Sequence, residues 1–117
     1  MDSNKKQENG SNQVIEYSKF LDNEKENILL IKLILSKDAT QIIEFVIIYL
    51  TLINNKPIEI VKYDVSRREN LNVHKYYHKQ EEKSFLNREV NFETVDEIME
   101  YITKNWRKMK LQYEENQ

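Results

Sequence analysis

The sequence predicts an α+β fold, an antiparallel β-meander of four or five strands with one long C-terminal amphipathic helix packed on one face. Three observations carry that expectation. Short runs rich in Ile, Val, Leu and Tyr alternate with polar turn clusters, the pattern of consecutive strands joined by hairpins. Only the final run repeats its apolar residues at helical spacing. With 117 residues the chain has the size of one domain, so these elements must share a single core.

Residues 1–12 have no apolar period and hold the only glycine, Gly10, which marks a disordered leader before one α+β domain at 13–117. The first strand spans 14–21, where apolar residues alternate imperfectly with Glu16, Ser18 and Lys19 before a polar cluster at 22–27. The second, 28–35, is apolar at every position but Lys32. The third, 42–53, holds five isoleucines with Phe45, Val46 and Tyr49, and its β-branched and aromatic content favours strand over helix. A turn at 54–57 leads to a fourth strand at 58–65. A polar loop at 66–70 leads to a fifth at 71–79, ended by Glu81, Glu82 and Lys83. A short edge strand is expected around 89–91. Thr94 and Glu97 have the spacing of a capping box at a helix start. Val95, Ile98, Met99, Ile102, Trp106, Met109 and Tyr113 then form one stripe on a helix about 20 residues long, roughly 30 Å.

Composition removes several classes of function. The net charge is −2, so no overall basic excess advertises nucleic acid. A chain without cysteine has no disulfide framework, zinc ribbon or thiol nucleophile, which fits a cytoplasmic protein. One glycine cannot build a phosphate-cradling loop or a dinucleotide fingerprint, so no cofactor is expected. The run at 42–53 is too short for a membrane span, and the polar first residues lack the apolar core of an export signal. Abundant Lys, Asn and Ile, all with A/T-rich codons, fit a microbial genome. Strands two and three carry apolar residues on both faces, Leu29, Ile31, Leu33 and Leu35 on one and Ile28, Leu30 and Ile34 on the other. One helix covers one face, which implies a homodimer.

Chemistry is concentrated in strands four and five. Side chains alternate along a strand, so Leu71, Val73 and Tyr77 face the core while Asn72, His74, Tyr76 and His78 face outward. Matching Val61, Tyr63 and Val65 to that core set places Lys62 and Asp64 on the His74 side, and a register such as Lys62 opposite His74 and Asp64 opposite Asn72 satisfies it. His74 as acid/base, Asp64 as its orienting carboxylate and Lys62 as a phosphate contact would form a catalytic set. His74 and His78 stand about 13 Å apart on a straight strand, so no metal site is expected. Arg67, Arg68, Lys75, Tyr76, His78 and Lys79 interleave cations with rings, as single-stranded RNA recognition requires. A solvated hairpin edge blunted by lysines has the same composition.

Val61, Lys62, Tyr63 and Asp64, then Val73, His74, Lys75, Tyr76, Tyr77 and His78, then Ile102, Thr103, Lys104, Asn105 and Trp106 together resemble the pattern of small TumE-like toxin proteins. The resemblance spans roughly 57–113. It implies a toxin of a toxin–antitoxin pair, with RNA as target and a cognate antitoxin as partner. Relatives often carry a His-Gly turn after the Tyr-Asp, where this chain has Val65, Ser66, Arg67, Arg68 and Glu69. The expected function is therefore a toxin-like RNA-binding or metal-independent RNA-cleaving protein. The alternative is a non-catalytic oligomeric protein-interaction module.

Overall fold

Six strands follow one another and pair only with their sequence neighbours, giving a β1-β2-β3-β4-β5-β6 meander in which every pairing is antiparallel. The computed structural model describes residues 12–117. They form β1 (Gln13–Phe20), β2 (Asn27–Leu35), β3 (Ile42–Ile53), β4 (Lys56–Ser66), β5 (Glu69–Lys75), β6 (Glu82–Phe85) and helix α1 (Phe92–Glu115). The leader expected at 1–12 lies outside the described residues except for Asn12.

The α+β class and the meander are as expected, but the strands number six rather than four or five. The sixth forms at Glu82–Phe85, inside the segment expected to end strand five, and not around 89–91. An exposed edge strand buries little, so its sequence need not alternate; backbone pairing of Val73 with Ser84 and His74 with Lys83 holds it. Strand five stops at Lys75, where the chain turns and Tyr77 enters the core. The connections are tight. Asn54 and Asn55, at φ 54° and 65°, supply the left-handed pair that a two-residue type I′ hairpin needs. The loop expected at 66–70 contracts to Arg67 and Arg68, because Ser66 and Glu69 already pair.

One face of the sheet builds the core. Leu29, Ile31, Phe45, Ile47, Val61 and Val73 are buried against the α1 stripe of Val95, Ile98, Ile102, Trp106 and Met109. Trp106 meets Tyr49 edge-on, ring centroids 6.2 Å apart. The Tyr49 hydroxyl donates to Asn27 Oδ1 at 2.6 Å, and the Asn27 amide donates to Asp22 Oδ2 at 3.1 Å, while the buried Thr51 hydroxyl opposite Asn27 has no partner among the described residues. The helix begins earlier than the expected capping box. Asn91 is the N-cap, its Oδ1 accepting the Thr94 N–H at 2.9 Å; Thr94 is buried within the first turn and Glu97 pairs with Arg88. α1 crosses β3 and β4. On the opposite face Ile28, Leu30, Ile34, Val46, Ile48 and Leu50 are half-buried, with no element packed over them among the described residues.

Candidate functional site on the open sheet face

The β4–β5 hairpin pairs Lys62 with His74 and Asp64 with Asn72, one of the registers that core parity allows. All four side chains stand on the face away from α1. β6 adds a residue that sequence reading missed, since Lys83 pairs with His74 from the other side. His74 is therefore flanked across both ladders by lysines.

The carboxylate on His74 is Glu81, not Asp64. Its Oε2 lies 3.0 Å from His74 Nδ1, and the imidazole stacks on Tyr76, centroids 5.7 Å apart with 14° between planes. The His74 side chain is 17% exposed, enough to be reached from solvent and too little to rotate freely. Asp64 is engaged elsewhere. It accepts from the Asn72 amide at 2.8 Å and sits 3.6 Å from Lys62 Nζ. Glu69 takes Lys83, and that hydrogen bond holds the Glu69 carboxyl below the usual carboxylate range. Burial pushes the Tyr76 phenol up, so it stays protonated beside the imidazole. A paired imidazole and carboxylate can accept a proton and return it, and the two lysines supply positive charge next to it.

The remaining residues expected to touch nucleic acid divide into separate groups. Arg67 and Arg68 form the exposed β4–β5 turn at the end of the open face, where the Arg67 N–H donates to Glu44 Oε2 at 2.8 Å. Lys75 belongs to the helix side and sits 3.6 Å from Glu82. His78, expected beside His74, instead approaches the same Glu82 at 3.2 Å and meets Tyr77 edge-on, because strand alternation ends at Tyr76. Lys79 is exposed in the β5–β6 connection. Nothing local marks Glu81 as the partner of His74; only the reversal of the chain after Tyr77 brings a residue seven positions away back to it.

Among the described residues no group of three His, Cys, Asp or Glu side chains is placed to hold a metal ion, and no helix is long and apolar enough to cross a membrane. No curated protein and no solved structure matches the chain. A family model does match, across residues 4–117 and so over nearly the whole length. The chain belongs to that family, described as a domain of unknown function, DUF7718.

Proposed function

We propose that this chain acts on RNA as a small toxin-type protein, with His74 as its acid/base. One observation carries the reading: an imidazole oriented by Glu81 stands between Lys62 and Lys83 on a sheet face that no element covers among the described residues. In this scheme His74 removes the proton of a ribose 2′-hydroxyl. The freed oxygen bonds to the adjacent phosphorus, the bond from phosphorus to the 5′-oxygen breaks, and the leaving oxygen takes a proton from water. Glu81 stabilises the imidazolium, while Lys62 and Lys83 offset charge on the phosphoryl oxygens. The dependence on a 2′-hydroxyl separates RNA from DNA. Incubation with single-stranded RNA should give 5′-hydroxyl and 2′,3′-cyclic phosphate ends, and His74→Ala should slow cleavage about a hundredfold or more with the fold kept. Cleavage by His74→Ala at the native rate sinks the reading. As a toxin, the native chain should also arrest host growth unless its cognate antitoxin is co-expressed.

The apolar half of the same face favours a second reading, a non-catalytic module that works by association. Ile28, Leu30, Ile34, Val46, Ile48 and Leu50 form a sheet face of the kind that packs against another sheet, and a second copy would complete a sandwich. A dimeric mass combined with intact RNA would favour it over the first.

A further inference from the structure

On the helix side of the sheet, away from His74, a cleft of about 530 Å³ opens where α1 stops short of β5 and β6. Tyr63 and Thr94 line it, and each is more than nine-tenths buried. Among the described residues neither hydroxyl makes a side-chain hydrogen bond, and neither is sealed from solvent as the unpartnered Thr51 hydroxyl is, so both are open to an occupant of the cleft. Burial, with the Tyr101 and Tyr77 phenols nearby, pushes the Tyr63 phenol up to about 12, so it is a permanent donor at neutral pH. Tyr101 presents its half-exposed ring on the α1 wall, and Leu86 supplies apolar surface opposite. The cations are Lys75 and Arg88, each tied to one exposed carboxylate, Glu82 for the first and Glu97 for the second. Exposed ion pairs are weak and exchange readily for another anion.

We propose that this cleft is a binding site for one nucleotide. A planar base has the mixed donors and acceptors to meet both hydroxyls, and a face to lay on Tyr101. Its phosphate would take Lys75 and Arg88 from their carboxylates. A purely apolar acid would leave both hydroxyls unmet. The site stands on its own residues, so it survives or fails independently of His74.

The test is an amide-resolved NMR titration of the full chain with AMP, UMP, benzoate and a uridine hexamer. Saturable shifts at Ser84, Thr94 and Tyr101 are expected with a mononucleotide, which assigns a free nucleotide, or with the hexamer alone, which assigns a strand of RNA. Tyr63→Phe keeps the buried ring and should weaken binding roughly tenfold. Lys75→Ala, at a partly exposed position, should weaken it comparably and covers the case in which the tyrosine variant fails to fold. With AMP and UMP, which lack the scissile phosphodiester of a strand, His74→Ala should show the same shifts at Ser84, Thr94 and Tyr101 as the native chain does. No saturable shift at millimolar nucleotide or hexamer, equal shifts with benzoate, or unchanged affinity in a folded variant would overturn the proposal.

Discussion

Asn72 is where the open polar face closes on itself. It is fully buried, its amide donates to Asp64 Oδ1 at 2.8 Å and to the Asn70 carbonyl at 2.9 Å, and its own Oδ1 has no partner. Replacing that amide with a carboxylate removes the donor and sets a third acidic group beside Asp64 and Glu69. Asn72→Asp should therefore lose about 3 kcal/mol, read from the shift of the urea midpoint, while native stability in the variant would refute the network. The buried phenols set a second expectation. Tyr63 ionises only at about 12 because burial disfavours its anion, and burial raises Tyr49, Tyr76 and Tyr77 as well. In the unfolded chain these phenols ionise near 10, so above that pH the unfolded state holds fewer protons than the native one. The Tyr63 contribution is complete below pH 10 and is lost as pH rises through about 12, about 3 kcal/mol in all, and the other raised phenols add in the same direction. Urea unfolding at pH 8 and pH 11 should show roughly half of the Tyr63 fall, about 1.4 kcal/mol, and a flat profile would contradict it.

At the scale of elements, the helix start depends on one side chain. The Asn91 Oδ1 satisfies the Thr94 N–H, so Asn91→Ala should cost about 1 kcal/mol in thermal unfolding, whereas Glu97→Ala should cost less because its Arg88 partner is exposed. The expected box at Thr94 and Glu97 had the right spacing one turn too late. Asn91 and Thr94 repeat that spacing, and burial of Thr94 under the sheet decides between them. Strands show a comparable division. β3 keeps its expected bounds because burial of alternate residues is written into its own composition. A register shift opposite Tyr49 and Leu50 buries Ile60 and Val61 in succession, and that displacement depends on the neighbouring strand.

At the scale of the whole molecule, the sheet has two apolar faces and, among the described residues, one helix. Lys32 stands among the apolar residues of the open face, opposite Glu16 on β1 and one step from Glu44 on β3, so a second copy could meet it with carboxylates as well as apolar surface. If the association reading holds, the native chain sediments as a dimer at micromolar concentration and Leu30→Glu sediments as a folded monomer. A monomeric native chain would remove that reading. The sequence by itself determined the meander, the bounds of β3, the stripe of α1 and the face that Lys62 shares with His74. All of these follow from side-chain alternation or helical period, which the backbone imposes locally. Only the tertiary structure decided that Glu81 orients His74, that Lys83 flanks it, that His78 turns to Glu82, and that Tyr63 and Thr94 share a cleft. Those contacts depend on where the chain reverses and which strand the helix crosses, and no local period encodes either.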